Sequence, residues 1–174
     1  MQHRAVTLVV LAALVAVVAC KKDSTTAAVV TTPVSNIVTF RANLTSGAEV
    51  PPNATTGYGT FVATLDTVTN VFTYDLTFTG LSANVSNGHI HGPSVATATS
   101  GTTINFNTLP GATFSLGAQA GTGHGVAVLN AATSITATMS GDSLKKLLFA
   151  GLTYANIHTT ANPGGEVRGQ ITKQ

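Results

Sequence analysis

The chain has 174 residues, only 8% of them charged, and a formal net charge of +2 at pH 7. This composition offers neither a basic stripe nor an acidic tail, so nucleic acid is not expected as a partner. The single cysteine excludes a disulfide within the chain, and the absence of tryptophan argues against a groove that stacks on sugars.

The first predicted element is an export signal. Arg4 precedes an uncharged, mostly apolar run over residues 5–19. The run is too short for a membrane span, which needs about 20 apolar residues, and is typical of a secretory signal. It ends in VVAC at residues 17–20, which resembles the lipobox of bacterial lipoproteins. That resemblance implies a cleaved signal peptide over residues 1–19 and lipidation of Cys20 with palmitate-type acyl chains.

A tether follows the lipidated cysteine. Residues 20–36 contain mainly threonine, alanine, valine and serine without periodicity, so we predict a flexible linker. No acidic residue directly follows Cys20. By resemblance to lipoprotein sorting signals, the protein is expected in the cell envelope, in the outer membrane or at the cell surface rather than in the inner membrane.

A domain of short strands is predicted over residues 37–174. Apolar residues alternate with polar ones in three clear runs, which is the pattern of half-buried strands. The apolar positions are Val38, Phe40, Ala42 and Leu44, then Phe61, Ala63 and Leu65, then Phe72, Tyr74, Leu76 and Phe78. Residues 66–70 have turn composition, so the second and third runs are predicted to form a hairpin. Further strands are predicted over residues 103–107, 125–129, 134–139, 152–158 and 166–171.

One short helix interrupts the strands. Asp142 and Ser143 are the predicted cap of a segment carrying Leu144, Leu147 and Leu148, and Gly151 is its predicted stop. The many short strands predict an all-β protein with a single Greek-key-type β-sandwich. We expect the helix to cover one open end of that sandwich.

Three motifs carry a family resemblance. They are LTSGAEVPP at residues 44–52, GHIHGP at residues 88–93 and YANIHTTANPGGEVRGQ at residues 154–170. In this order they resemble the CHRD domain, which is named for the repeats of the extracellular protein chordin and also occurs singly in secreted bacterial proteins. The resemblance implies an extracytoplasmic β-sandwich. It places eight residues at the motif positions: Glu49, Pro51, His89, His91, His158, Pro163, Glu166 and Arg168.

The histidines allow two interpretations. In a strand, His89 and His91 lie on the same face, and His158 at the end of another strand is the best third partner. We first expect these imidazoles to hydrogen-bond backbone carbonyls, Glu49 or Glu166. The alternative is a copper or zinc site formed by the three histidines. His124, outside the three motifs, is expected in a loop.

The acidic residues give little support for catalysis. Glu166 and Arg168 are two residues apart, so a charged pair between them, or between Arg168 and Glu49, is conceivable. Pro51 is expected to end a strand after Val50. Because none of the common catalytic motifs is present, we predict a non-enzymatic binding or structural module, anchored to a membrane, with an extracytoplasmic protein or a metal ion as partner. Redox activity remains only if copper binds.

Overall fold

The computed structural model describes residues 36–136 and 138–174, which belong to one compact unit. The predicted signal peptide, Cys20 and nearly all of the tether lie outside these residues. Within them the chain forms eleven strands and one α-helix: β1 (Ile37–Thr45), β2 (Tyr58–Asp66), β3 (Val71–Thr79), β4 (Val85–His91), β5 (Thr102–Asn105), β6 (Thr113–Phe114), β7 (Gly121–Val128), β8 (Ser134–Thr136), β9 (Met139–Ser140), α1 (Gly141–Phe149), β10 (Thr153–Thr159) and β11 (Val167–Lys173). The predicted all-β class with one short helix is confirmed.

Nine of the described strands form one antiparallel sheet in the order β5-β4-β10-β11-β1-β2-β3-β7-β6. The two ends of this sheet, one containing β4 and β5 and the other β3 and β7, approach each other. Tyr74 on β3 donates from its hydroxyl to the carbonyl of Phe106, just after β5, and the two ring centroids are 5.0 Å apart. Backbone hydrogen bonds also join Val85 of β4 to Gly117 and Ala118 near β7. The sandwich-like layers are therefore parts of one curled sheet.

The core consists largely of apolar side chains that alternate with more exposed ones along the strands. On β1, Phe40 and Leu44 are fully buried, whereas Arg41 and Asn43 between them are exposed. The same period continues on β2 and β3, which pair in register from Tyr58–Thr79 to Leu65–Phe72. The turn between them contains Asn70 with a φ of 59°. The predicted hairpin is confirmed.

The helix differs from its prediction at one end. Its N-cap is Ser140, whose hydroxyl accepts from the backbone N–H of Ser143, so Asp142 and Ser143 lie inside the first turn. Leu144 and Leu148 are buried in the core. Gly151, with a φ of 66°, ends the helix as predicted. None of the helices within the described residues combines the length and hydropathy that a membrane span needs.

Two strand boundaries also differ. The predicted strand over residues 134–139 is a small hairpin of β8 and β9, which bond to each other in a separate two-stranded sheet. The strand predicted from Gly125 begins four residues earlier, at Gly121. It pairs with β3 along its length. The four residues at its start, Gly-Thr-Gly-His, lack the apolar alternation from which strands are predicted.

Candidate functional site

The three histidines of the motifs meet on the outer face of β4 and β10. The alternation of β4 buries Ile90 in the core and directs His89 and His91 to the other face. On β10, Asn156 pairs with His89 across the strands, and His158 follows on the same face. The predicted association of His89, His91 and His158 is therefore present.

The imidazole nitrogens are close enough to share one ion. Each histidine offers one ring nitrogen, and these three atoms lie within 4.8 Å of one another. Nδ1 of His89 is 3.0 Å from Nε2 of His158. The rings of His89 and His91 have centroids 5.2 Å apart in an edge-on arrangement. His91 is buried, while His89 and His158 are half-buried, so the group is accessible from one side.

Backbone carbonyls fix the tautomers of two of these histidines. Nδ1 of His91 lies 2.9 Å from the carbonyl oxygen of Ser100, and Nδ1 of His158 lies 2.9 Å from that of Pro163. Because a carbonyl can only accept, both Nδ1 atoms carry the proton, and in the neutral ring Nε2 holds a lone pair. Nε2 of His91 is buried without a hydrogen-bond partner. The expected carbonyl bonds are thus present for two histidines.

The surroundings favour the neutral imidazoles. Burial, together with the charges of His158 and His91, lowers the pKa of His89 to about 4. Burial also lowers the pKa of His91, and that of His158 despite its bond to the Pro163 carbonyl. A metal ion requires an unprotonated imidazole. The three rings are therefore in the protonation state in which they bind metals.

A stack of side chains extends from His91 across the sheet. The ring of His91 lies parallel to that of Tyr154, with centroids 4.7 Å apart and an interplanar angle of 5°. The guanidinium carbon of Arg168 lies 3.4 Å from the centroid of the same Tyr154 ring. Nη2 of Arg168 donates to the carbonyls of Val95 and Ala98. The stack thereby joins the histidines to the loop between β4 and β5.

Glu49 is buried beside this stack without a salt bridge. Its Oε1 accepts a hydrogen bond of 2.7 Å from the amide of Asn156. Burial raises the pKa of Glu49 to about 7, although the charge of Arg168 and the N–H of Val50 act in the opposite direction. The carboxyl group of Glu49 therefore changes its charge near neutral pH and not in the usual acidic range.

Glu166 is fully buried but ionised. Its carboxylate accepts from the backbone N–H and the hydroxyl of Ser82, from the hydroxyl of Thr159 and from the amide of Asn162. Burial by itself would raise the pKa of Glu166, but the hydrogen bonds from Thr159 and Ser82 outweigh it and hold the pKa below its usual value. The carboxylate therefore joins the loop between β3 and β4 to the loop between β10 and β11.

The charged pairs that the sequence allowed, of Arg168 with Glu166 or with Glu49, do not form salt bridges. Within the described residues, the ion pairs join Asp75 to His124 and Asp142 to Lys145, and neither includes Arg168. Glu166 bonds instead to Ser82 and Thr159, and Arg168 donates to the carbonyls of Val95 and Ala98.

Of three other expectations about single residues, those for His124 and Pro51 are wrong and the one for Pro163 is confirmed. His124 lies on β7 and not in a loop, because β7 begins at Gly121. The strand expected to end after Val50 ends at Thr45, where a 3₁₀ turn over Ser46–Ala48 begins, so Pro51 lies in a loop. Pro163 opens the expected turn, in which Gly165 has a φ of 131°.

Several site residues lie outside the predicted set. Tyr154 and Asn156 were recognisable only by sharing the strand face of His158. Ser100 and Ser82 lie in polar loops whose composition indicates nothing about partners elsewhere in the chain. Their positions depend on which loops the curled sheet brings beside β4 and β10.

Comparison with known proteins agrees with the motifs and the fold. The family model of the CHRD domain matches residues 40–171, nearly all of the described chain. Searches of curated proteins and of solved structures find no match. On the strength of the family match, the chain belongs to the CHRD domain family.

Proposed function

We propose that this CHRD domain is a non-enzymatic module of the cell envelope that binds one transition-metal ion through His89, His91 and His158. The convergence of three ring nitrogens within 4.8 Å carries the proposal. Nε2 of His91, one of six buried side-chain polar atoms without a hydrogen-bond partner in the described residues, supports it. Buried polar atoms almost always have a partner, and an ion would supply one here.

The hydrogen bonds around the rings suit a metal site. Histidines that bind metals usually donate their second N–H to a carbonyl or carboxylate, which orients the ring. His91 and His158 do so through the carbonyls of Ser100 and Pro163. Nitrogens around a tetrahedral zinc or copper ion are roughly 3.3 Å apart. The 3.0 Å contact between His89 and His158 therefore needs only a small expansion, with His89 taking the tautomer whose lone pair faces the ion.

The acidic residues support a non-enzymatic role. General acid or base catalysis needs a side chain that can reach a substrate proton. Glu166 has four donors on its carboxylate and no exposed surface. Glu49 is 6% exposed and bonded to Asn156. Neither is available as an acid or base at the surface.

The location belongs to the same proposal. The apolar run ending in VVAC supports export and lipid attachment at Cys20. Residues 21–35 would then connect the anchor to the domain, which would act at a membrane surface. An outer-membrane or cell-surface position is proposed from Lys21, which follows Cys20 in place of an acidic residue.

Metal content after purification without a histidine tag tests the ion site. We expect about one copper or zinc ion per chain, measured by elemental analysis. His89→Ala should reduce the affinity by about a hundredfold or more, because only two ligands remain. His124→Ala is the matched control, since His124 is bound to Asp75 on another strand. Wild-type protein without stoichiometric metal, after incubation with either ion, would refute the proposal.

Metabolic labelling with a palmitate analogue tests the anchor. Wild-type protein should carry the label and fractionate with membranes, whereas Cys20→Ser should be unlabelled. An unlabelled wild-type protein released into the medium would contradict the anchor but leave the metal site intact.

A further inference from the structure

Arg168 is a buried cation without a carboxylate in contact. The side chain is only 1% exposed. Its Nη2 donates to two uncharged carbonyls, and its Nη1 has no hydrogen-bond partner. Glu49 interacts with it electrostatically, but the two do not form a salt bridge. Much of the arginine's positive charge therefore remains uncompensated in a region of low dielectric constant.

This charge lies beside the three-histidine site. Strand β10 lies between β4 and β11 in the sheet, so Tyr154 separates His91 from Arg168. The guanidinium carbon is 3.4 Å, and the centroid of the His91 ring 4.7 Å, from the centroid of the Tyr154 ring. The guanidinium carbon of Arg168 is therefore no farther from the centroid of the His91 ring than the sum of these two distances.

The ligands supply no negative charge to offset it. The group of converging donors within the described residues consists of three histidines and includes no aspartate, glutamate or cysteine. Neutral imidazoles leave the whole charge of a bound ion in place. Two energies then oppose a doubly charged ion: the loss of hydration, which grows with the square of the charge, and repulsion by Arg168, which grows in proportion to it.

We infer that the site selects a monovalent ion, Cu(I), over divalent ions such as Zn(II), and that Arg168 is the residue that sets this selectivity. The inference rests on the proposed metal binding and names its ion. Three imidazole nitrogens suffice for a trigonal Cu(I) ion, and imidazole is a suitable ligand for copper. For an ion held about 8 Å from the guanidinium, with an effective dielectric constant near 20, repulsion would lower the affinity by roughly tenfold or more per unit charge.

Paired titrations of the full chain in detergent test the inference. Cu(I) affinity is measured without oxygen against a chromogenic Cu(I) chelator, and Zn(II) affinity against a fluorescent zinc chelator, both at pH 7. The wild-type chain should bind Cu(I) at least tenfold more tightly than Zn(II). Arg168→Gln should increase both affinities. The gain for Zn(II) should be about twice as large on a logarithmic scale, for example roughly a hundredfold against tenfold.

Two controls separate charge from structure. Arg168→Lys keeps the charge but loses the planar stack on Tyr154, and should retain the wild-type selectivity within about threefold. Lys173→Gln removes a positive charge from the same strand, where the lysine lies near Phe149 and is exposed. It should leave both affinities unchanged.

A second variant provides the opposite perturbation if Arg168→Gln does not fold. Glu49→Gln preserves the shape of the side chain and its ability to accept from Asn156. At pH 8 it removes a negative charge, so both affinities should fall, and again Zn(II) should change about twice as much on a logarithmic scale.

The outcomes distinguish the two proposals. If the wild-type chain binds Zn(II) as tightly as Cu(I), or if both variants change the two affinities equally, the assignment of Cu(I) and of Arg168 is overturned while metal binding stands. If neither ion binds, the proposed function fails, and the selectivity fails with it.

Discussion

At the scale of single residues, Glu49 and Glu166 are both buried acids with opposite pKa shifts. Glu166 accepts hydrogen bonds from Ser82, Thr159 and Asn162, and these compensate for its lost hydration. Glu49 has one side-chain donor, Asn156, and an arginine that does not contact it. The number of donors, more than burial itself, decides which of the two acids is charged.

One prediction concerns how Glu49 makes the free energy of unfolding depend on pH. Its pKa rises from 4.5 to about 7 on folding, so the folded state holds a proton that the unfolded chain releases. The resulting stabilisation is complete below pH 4.5 and is lost as the pH rises through 7. Glu49→Gln remains neutral throughout. Relative to wild type, it should therefore gain roughly 1–2 kcal/mol of unfolding free energy between pH 4.5 and pH 8.5, after allowance for solvent screening.

Urea unfolding of both proteins at the two pH values measures this gain. Asp142→Asn, which changes an acid paired with Lys145 on α1 and not with a histidine, is the control, and its effect should differ between the two pH values by less than about 0.5 kcal/mol. A Glu49→Gln variant that loses the same stability at both pH values would show that Glu49 acts through shape and not through its proton.

At the scale of elements, the turn after His158 supports the site. Pro163 supplies the carbonyl that orients His158. Two residues later, Gly165 adopts a φ of 131°, and a Cβ there would collide with the amide of Asn156 and the carboxylate of Glu49. The conformation of this turn and the position of the carboxylate therefore depend on each other.

A pair of adjacent glycines tests this dependence. Gly165→Ala should destabilise the fold by about 2 kcal/mol or more, through backbone strain and overpacking, and should weaken metal binding through His158. Gly164→Ala is the control, because a Cβ there meets nothing within 4 Å. Thermal unfolding and metal titration of both variants provide the comparison. Equal effects of the two substitutions would show that the turn is not tightly fitted.

How much of the site the sequence predicts depends on whether a contact lies within one strand or joins distant segments of the chain. The shared face of His89 and His91 depends only on strand alternation, which the sequence displays. The association of these two histidines with His158 depends on the pairing of β4 with β10, which strand alternation does not reveal. The stack of Tyr154 and Arg168 was not foreseen, because it depends on β11 lying beside β10. The hydrogen bond from His91 to the carbonyl of Ser100 depends on the path of the loop between β4 and β5.

At the scale of the whole molecule, the class was predictable but the curl of the sheet was not. Alternation in β1, β2 and β3 indicates which residues are buried, yet the same pattern suits two separate sheets or one continuous sheet. The difference lies in which edges hydrogen-bond. Here β11, the last strand, pairs with β1, the first described strand, and joins the two halves.

The tight packing around Gly88, where β4 meets the ring of Phe114 on β6, gives a further prediction. A Cβ on Gly88 of β4 would lie 2.6 Å from the ring of Phe114 and 2.8 Å from that of Phe106. Gly88→Ala should therefore cost about 1–3 kcal/mol of unfolding free energy. Combination with Phe114→Leu should recover part of that loss, and a double-mutant cycle measures the coupling. Strictly additive losses would mean that the layers separate easily at this point.

Strand β4 carries the histidines on one side and Ile90, in the core, on the other. Exchanging the residues on the outer side leaves the packing of the inner side untouched. A cysteine in place of His91, or a carboxylate in place of His158, would therefore change the ligands of the proposed metal site without redesign of the core.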